Sequence, residues 1–296
     1  MRSEITSGRL RGALCHGRPG GTGVLVLAGS SGRVDLQRAE LLARMGATTL
    51  ALGWFGGPGQ TPGIREVPLE LFSEALDMIE SQGVARLAIV GVSKGAEAAL
   101  LVACRDSRVN AVIAFAPSSV AWAEVAGPAT PAVTLPYRSS WTVNGRPVPF
   151  VPYDDAWRPP RASGMPEFRD LYRSSMARYP EAVRAAAIPV DRCAAHLVLI
   201  AGGDDHVWPS LDFAEQLAQR RRSRGLSVDA FTSAAAGHRI PFPGESLPET
   251  GGAQLNRGGS PGADAALGLA AWPAVSSALG LDAGSSPPTA EAVDDA

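Results

Sequence analysis

Short apolar runs alternate along this chain with segments whose apolar residues recur at helical spacing. Six of the runs have the length of a strand, and several are rich in Val, Ile and Leu: residues 23–28, 48–52, 86–90, 111–115, 197–201 and 228–232. Such runs are typical of strands buried on both faces of a parallel sheet.

Three segments between these runs have the apolar stripe of an amphipathic helix. The stripes consist of Leu36, Leu41, Leu42 and Met45, of Leu69, Phe72, Leu76 and Ile79, and of Phe213 and Leu217 after a possible N-cap at Ser210. Gly46 and Gly225 stand where the first and third helices would end. Alternation of strands and helices predicts an α/β fold with a mostly parallel sheet and helices on both faces.

One long region interrupts this alternation. Residues 118–165 are rich in Pro, Trp and Ser and lack sustained periodicity, and a helix-like stretch follows over 166–187. A segment of this length inside a compact domain is usually functional, often a lid over a site. We therefore expect one α/β domain over residues 1–281 with a lid insertion over about 118–187, followed by a disordered tail over 282–296.

Composition excludes several classes of protein. The 296 residues are 45% hydrophobic and 19% charged with a net charge of −2, so the chain can bury a core and has no global attraction for nucleic acid or anionic membranes. No apolar run reaches the ~20 residues of a membrane span, and the N-terminus lacks the apolar stretch of a secretory signal. Cys15, Cys104 and Cys193 are odd in number and lack zinc-site spacing. We expect a soluble cytoplasmic protein with no metal, no cofactor and no membrane or nucleic-acid partner.

The most specific chemical signal is the sequence Gly91-Val92-Ser93-Lys94-Gly95. It follows a strand-like run and precedes a helix-like one, which is the context of a nucleophile elbow. The turn is so tight that the positions two before and two after the nucleophile must be small. It also presents the serine at a helix N-terminus, where developing negative charge is favoured. We predict that Ser93 is a nucleophile.

A serine nucleophile needs a base, and the chain has four histidines. In this type of fold the order along the chain is serine, acid, histidine. His16 precedes the elbow, His196 begins a predicted strand, and His206 adjoins the candidate acid. His238 follows the last predicted strand, where a loop could carry it over the elbow, and is therefore the predicted base.

The acid is expected in the loop after the preceding strand. That loop contains Asp204 and Asp205, and the spacing Gly202-x-x-Asp205-x-x-x-Pro209 favours Asp205, with Asp204 as a turn residue. The oxyanion needs two backbone donors, for which we predict the amides of Lys94 and Ser30. Gly29 and Trp208 are the predicted substrate contacts.

The turn after the first long strand has another interpretation. Its sequence, LAGSSG, could be the phosphate-binding turn of a dinucleotide fold, but no complete G-x-G-x-x-G is present.

Several stretches resemble one known family. GVSKGAEAAL, LALGWFGGPG followed by VPLELFSEAL, AAIPVDRCAAHLVLIAGGDDHVWPS and AGHRIPFPGE are similar to the catalytic domain of acyl-CoA thioesterases and bile acid-CoA:amino acid N-acyltransferases. The resemblance covers roughly residues 10–280 and implies an α/β-hydrolase fold with Ser93, Asp205 and His238 at the triad positions. It also implies an acyl thioester substrate carried by CoA or by a carrier-protein arm. The chain is too short for the N-terminal β-sandwich domain of many members.

Serine at position 93 is similar to the hydrolytic members, because the mammalian amino-acid conjugating enzymes have cysteine there. We predict a serine thioesterase. An acyltransferase, a generic ester or dienelactone hydrolase and a non-catalytic ligand-binding protein remain alternatives.

Two groups of residues in the predicted lid allow both functional and structural interpretations. Its arginines could bind substrate phosphates or form a solvated face: Arg158, Arg161, Arg169, Arg173 and Arg178. Trp122, Trp141 and Trp157 could line an acyl pocket or pack the lid.

Overall fold

A computed structural model provides the structure of the chain and describes residues 1–125, 135–158, 164–245 and 254–281. The predicted disordered tail, 282–296, lies outside the described residues.

Eleven strands and seven α-helices occur within the described residues. The strands are β1 (Arg2–Ser7), β2 (Leu10–Cys15), β3 (Thr22–Leu27), β4 (Thr48–Gly53), β5 (Val67–Pro68), β6 (Arg86–Val92), β7 (Val109–Phe115), β8 (Trp141–Val143), β9 (Arg146–Pro147), β10 (His196–Gly202) and β11 (Asp229–Ser233). The helices are α1 (Leu36–Arg44), α2 (Glu70–Glu80), α3 (Lys94–Ala103), α4 (Arg169–Arg178), α5 (Pro180–Ala185), α6 (Ser210–Arg222) and α7 (Pro261–Leu279).

Eight strands form the central sheet in the order β1-β2-β4-β3-β6-β7-β10-β11. The strands β1 and β2 pair antiparallel, as do β2 and β4, whereas every pair from β4 to β11 is parallel. The carboxyl ends of the parallel strands therefore meet at one edge of the sheet, which is where binding sites form in such folds.

Side chains that alternate along β3 show how the sheet is packed. Leu25 and Leu27 belong to one hydrophobic cluster, which includes residues of α2, α3 and α6. Val24 and Val26 belong to a second cluster, which includes residues of α1 and α7. Because successive residues of a strand point to opposite faces, helices cover both faces of the sheet. The predicted fold class is confirmed.

An insertion separates β7 from β10 and contains β8, β9, α4 and α5. The strand β8 pairs parallel with β5 and antiparallel with β9, forming a small second sheet. Three aromatic residues of the insertion, Trp122, Tyr153 and Tyr172, pack against one another. They also pack against Trp208, which precedes α6, and Phe213 of α6. The single-domain organisation and the lid over about 118–187 stay predictions.

None of the helices in the described parts of the chain is long and apolar enough to cross a membrane.

Candidate active site

Ser93 occupies a strained turn between β6 and α3. Its backbone has φ 55° and ψ −121°, a region that a residue with a side chain rarely adopts without a compensating role. Its N–H donates to the carbonyl of Phe115 at 2.9 Å, and its own carbonyl accepts from the N–H of Ala96 at 2.9 Å and of Glu97 at 3.0 Å. The serine thus ends the strand and begins the helix, as a nucleophile elbow requires.

Two glycines make this turn possible. A Cβ at position 91 would lie 2.4 Å from the carbonyl oxygen of Gly95, and a Cβ at position 95 would lie 2.4 Å from the carbonyl oxygen of Ala28. Both contacts are with backbone, which cannot rotate away as a side chain can. The positions two before and two after Ser93 must therefore be small for steric reasons, as predicted from the sequence.

His238 and Asp205 form a buried pair. Nδ1 of His238 lies 2.7 Å from Oδ2 of Asp205, and the two residues are 7% and 1% exposed. Asp205 follows β10 and His238 follows β11, so both come from the sheet edge at which β6 ends in Ser93. Because a carboxylate only accepts, Nδ1 carries the proton, and in the neutral ring Nε2 is the acceptor nitrogen.

The acid loop fixes the orientation of Asp205. Its Oδ1 accepts hydrogen bonds from the N–H of Val207 at 2.8 Å and of Trp208 at 3.2 Å. The indole of Trp208 donates to the carbonyl of Ala116 at 3.1 Å and packs edge-on against the His238 ring, with 6.0 Å between ring centroids. This anchor places Trp208 beside the base, while its predicted contact with substrate stays a prediction.

The histidine loop is held by two groups that the sequence analysis did not identify. Asp264, in the first turn of α7, accepts from the N–H of Gly237 at 2.6 Å, and the carbonyl of Arg257 accepts from the N–H of His238 at 2.9 Å. Burial raises the pKa of Asp264 above its ordinary value. In the sequence, Asp264 stands out only as a carboxylate at the start of an otherwise apolar segment, and no spacing relates it to His238.

The turn after β3 adjoins the nucleophile. A Cβ at Gly29 would lie 3.1 Å from Cβ and 3.6 Å from Oγ of Ser93, so the absence of a side chain leaves room directly beside the hydroxyl. Ser30 follows in the same turn and is exposed. The N–H of Lys94 belongs to the first turn of α3, where helix N–H groups have no partner within the helix. The donor roles of Ser30 and Lys94 and the substrate contact of Gly29 stay predictions.

The side chain of Lys94 points into the protein interior. Its Nζ lies 2.9 Å from each carboxylate oxygen of Glu97, which is fully buried. Oε1 of Glu97 also accepts from the N–H of Trp122 at 3.0 Å and from the indole of Trp141 at 2.6 Å. Burial lowers the pKa of Lys94. The only lysine of the chain therefore forms part of a buried network that joins the elbow helix to the insertion.

Asp204, His206 and His196, which are not assigned to the triad, have partners of their own. Asp204 accepts from the N–H of Gly259 at 2.8 Å and lies 3.0 Å from Nε2 of His206, as expected of a turn residue. His196 lies 2.9 Å from Asp229 at the start of β10.

The insertion arginines are also engaged within the chain. Arg173 pairs with Asp212 at 3.0 Å and Arg178 with Asp154 at 3.5 Å. Arg158 and Arg169 donate to backbone carbonyls, and Arg161 lies outside the described residues. In the described parts of the chain, no three His, Cys, Asp or Glu residues are grouped as a metal site.

The sheet order and the serine turn after β6 are those of an α/β-hydrolase. A puromycin-hydrolyzing peptidase of Mycobacterium tuberculosis matches 98% of this chain and 41% of its own, with a TM-score of 0.57 and 16% identity. A protein of Klebsiella pneumoniae assigned as a dienelactone hydrolase matches 95% of this chain and 98% of its own, with a TM-score of 0.53 and 12% identity. These two similarities establish the fold.

Within that class, the chain belongs to the family described as "BAAT / Acyl-CoA thioester hydrolase C terminal", whose sequence profile matches residues 67–277. Acyl-coenzyme A thioesterase 1 of Mus musculus is 26% identical over 282 residues, which cover 92% of this chain and 62% of that protein. Acyl-coenzyme A amino acid N-acyltransferase 2 of Rattus norvegicus is 27% identical over 288 residues, covering 92% and 63%. The chain thus spans about three-fifths of the length of these relatives. The family resemblance seen in the sequence is confirmed.

Proposed function

We propose that this protein hydrolyses a thioester through an acyl-enzyme on Ser93, with His238 as base and Asp205 as the residue that orients it. The observation that carries the proposal is the buried 2.7 Å contact between Asp205 and His238, at the sheet edge where Ser93 is held in a strained turn. Buried charges need partners, and nucleophilic catalysis by serine requires a histidine–carboxylate pair of this kind at the sheet edge that carries the elbow serine.

The tautomer of His238 determines the direction of proton transfer. Because Nδ1–H donates to Asp205, Nε2 can accept the Ser93 hydroxyl proton as Oγ attacks the thioester carbonyl. The tetrahedral oxyanion would be bound by the N–H groups of Lys94 and Ser30. The C–S bond then breaks, and the protonated His238 gives its proton to the departing thiolate. A water molecule, deprotonated by His238, attacks the carbonyl of the acyl-enzyme. The bond between this carbonyl and Oγ of Ser93 then breaks, His238 returns the proton to Oγ, and the carboxylic acid is released.

The substrate class follows from family membership. The family description and the mouse relative's name refer to acyl-CoA thioesters. A thioester on CoA or on a carrier-protein arm is therefore the proposed substrate, with generic ester hydrolysis as an alternative that the fold alone also permits.

A thiol-release assay tests this proposal. Acyl-CoA thioesters of increasing chain length are incubated with the wild type and with Ser93→Ala, and both the free thiol and the free acid are quantified. We expect equal release of thiol and acid by the wild type and loss of both in the variant. Hydrolysis at the wild-type rate by Ser93→Ala would exclude the mechanism. Labelling of Ser93 by a fluorophosphonate separates an active protein that lacks its substrate from a non-catalytic ligand-binding protein.

Transfer of the acyl group to an amine or alcohol is the second candidate, because a relative at 27% identity is named as an amino acid N-acyltransferase. Both reactions share the acyl-enzyme and differ in the group that intercepts it. Adding an amino acid such as glycine to the thioesterase assay distinguishes them. An acyltransferase would form amide at the expense of free acid, whereas a hydrolase would give the same yield of free acid with and without the amine.

A further inference from the structure

His206 connects the acid loop, between β10 and α6, to the insertion. It directly follows Asp205, and its carbonyl accepts the N–H groups of Phe168 at 2.9 Å and of Arg169 at 3.1 Å, where α4 begins. Its side chain is only 21% exposed, so neighbouring groups largely enclose it. The loop of the candidate acid is therefore attached to the insertion through the backbone of His206.

The imidazole of His206 lies between two carboxylates. Nε2 lies 3.0 Å from Oδ1 of Asp204 in the acid loop, and Nδ1 lies 3.1 Å from Oε1 of Glu167 in the insertion. Nδ1 is shielded from solvent and forms no hydrogen bond to a described residue, so water cannot replace its ion-pair contact with Glu167. Both nitrogens of the ring therefore face negative charge.

Only the doubly protonated ring is compatible with both contacts. A carboxylate accepts hydrogen bonds and cannot donate them, whereas a neutral imidazole has one N–H and one lone pair. In the neutral ring, the lone pair of one nitrogen would face a carboxylate and be repelled by it. Loss of the second proton therefore breaks the contact of His206 with either Asp204 or Glu167.

The same two carboxylates bind the segment that supports the histidine loop. Oδ2 of Asp204 accepts from the N–H of Gly259 at 2.8 Å, and Oε1 of Glu167 accepts from the side-chain amide of Asn256 at 2.6 Å. Between these two contacts, the carbonyl of Arg257 accepts the N–H of the candidate base at 2.9 Å. A change at either carboxylate therefore affects the support of the base as well as the loop of the acid.

The other charged groups on these three segments have contacts of their own. Arg169 of α4 donates to the carbonyl of Gly203 at 3.4 Å, and the carboxylate of Asp205 accepts three hydrogen bonds. The side chain of Arg257 is engaged as well. His206 is the one histidine on these segments, and histidine is the side-chain type that changes charge near neutral pH.

We propose that His206 is a positioning residue whose charged imidazole holds the insertion and the support of His238 against the acid loop, and that loss of its second proton loosens this attachment. The contacts of His206 with Asp204 and with Glu167 form the His206 clamp. His206 contacts no reacting atom and acts through Asp205 and His238. The inference rests on the proposed thioesterase function and adds to it a dependence of turnover on a charge outside the triad.

The two histidines impose opposite limits on the pH dependence of kcat. His238 must be neutral at Nε2 to accept the Ser93 proton, so kcat rises with pH as this ring loses its proton. The His206 clamp requires the charged ring of His206, so kcat falls with pH as that ring is neutralised. The product of the two requirements is a bell-shaped profile whose falling limb belongs to His206.

Glu167→Gln distinguishes this role from a purely structural one. The amide of glutamine can accept from an Nδ1–H or donate to a bare Nδ1, so the contact persists in both charge states and the falling limb should disappear. His206→Gln removes the titrating ring and should remove the same limb. Glu181→Gln neutralises an exposed carboxylate in the same insertion, so it is the control for net charge and should retain the limb.

The readout is kcat over about pH 5–9, with each profile scaled to its own maximum, because a general loss of structure lowers a profile without removing one limb. The substrate is the hexanoyl thioester of N-acetylcysteamine, which has no group that titrates in this range. We expect kcat of the wild type and of Glu181→Gln to fall by about 3- to 10-fold on the alkaline side, as loss of one contact to a charged group predicts. Absence of the falling limb in the wild type, or its persistence in Glu167→Gln or His206→Gln, would overturn the His206 clamp.

A measurement without turnover separates this inference from the proposed function. Hydrogen–deuterium exchange of α4 is compared between the wild type and Glu167→Gln at the same pH, so that intrinsic exchange rates cancel. We expect α4 of the wild type to lose protection relative to the variant as the pH rises. If this loss occurs and no thioester is hydrolysed, the His206 clamp stands and the thioesterase proposal fails. If thioester is hydrolysed and the two proteins exchange alike at every pH, the clamp is overturned and the thioesterase proposal stands.

Discussion

Oδ2 of Asp205 accepts a 2.7 Å hydrogen bond from Nδ1 of His238, while Oδ1 of the same carboxylate accepts from the N–H groups of Val207 and Trp208. Three hydrogen bonds therefore fix the orientation of this carboxylate and of the histidine ring that it faces. Because backbone N–H groups hold the Asp205 carboxylate in place, it selects the His238 tautomer that carries the proton on Nδ1.

Replacing Asp205 by Asn should preserve the shape of the site and reverse the tautomer of His238. The new amide would donate to Nδ1, which places the ring proton on Nε2 and removes the acceptor for the Ser93 hydroxyl. We expect kcat for thioester hydrolysis to fall by about 10³- to 10⁴-fold. Steady-state kinetics on the same substrate with Asp204→Asn provides the control, because Asp204 binds Gly259 and His206 instead. A similar loss in both variants would contradict this role.

Removing the carboxylate of Glu97 should destabilise the protein strongly. Glu97→Gln leaves the ammonium of Lys94 buried without its counter-charge, and loss of one partner of a buried pair costs about 3–5 kcal/mol. Urea denaturation measures the change in the free energy of unfolding. Glu40→Gln breaks the exposed pair with Arg2 and should cost at most about 1 kcal/mol. The double variant Lys94→Met, Glu97→Gln should recover part of the lost stability; no recovery would show that the charge is not the cause.

Substitution by alanine should destabilise the protein at Gly95 in α3 and stabilise it at Gly262 in α7. Gly95→Ala places a Cβ 2.4 Å from the carbonyl oxygen of Ala28, so we expect a loss of about 1–3 kcal/mol in spite of the better helix propensity of alanine. Gly262→Ala, in the first turn of α7, meets no atom within 4 Å and should stabilise by about 0.5–1 kcal/mol. Thermal unfolding of both variants provides the comparison. Stabilisation by Gly95→Ala would contradict the close contact between Gly95 and the backbone of Ala28.

Asp264 should influence stability in a pH-dependent manner. Its raised pKa means that the folded state keeps this proton to a higher pH than the unfolded state does, so its contribution is complete below the ordinary Asp pKa. That contribution is lost as the pH rises through the folded-state pKa. Asp264→Asn retains an acceptor for Gly237 and does not titrate, so the stability of the wild type relative to this variant should fall over that interval.

The companion variant Asp264→Ala should cost about 1–3 kcal/mol, because the buried N–H of Gly237 loses its acceptor. Urea titrations at a series of pH values measure both effects. A constant difference between wild type and Asp264→Asn at all pH values would show that Asp264 does not titrate as inferred.

The sequence predicted those elements whose apolar pattern matches their burial in the folded protein. All six predicted strands are present, since apolar runs such as that of β3 are buried on both faces. The strand β1 was not predicted, because it is mostly solvent-exposed and contains only one apolar residue, Ile5. The helix α7 was missed because its residues are apolar all around and include Pro273, so no amphipathic stripe identifies it.

The candidate site divides in the same way. The elbow is a short motif, and the serine–acid–histidine order is the order of residues along the chain. Both can be recognised in the sequence, which is why Ser93, Asp205 and His238 were selected as candidates. The supports of Asp205 and His238 come from distant segments, including Asp264 and the backbone of Arg257. Those contacts depend on how loops meet after folding, and no spacing in the sequence encodes them.

The central claim is that Ser93 carries the acyl group during turnover, and mass spectrometry of the quenched protein tests it directly. The wild type is mixed with a thioester, quenched in acid within milliseconds to seconds, digested and analysed for the peptide that contains Ser93. We predict an added acyl mass on Ser93 that disappears as substrate is exhausted and that is absent in Ser93→Ala. An acyl adduct on another residue, or one that persists in Ser93→Ala, would contradict the account.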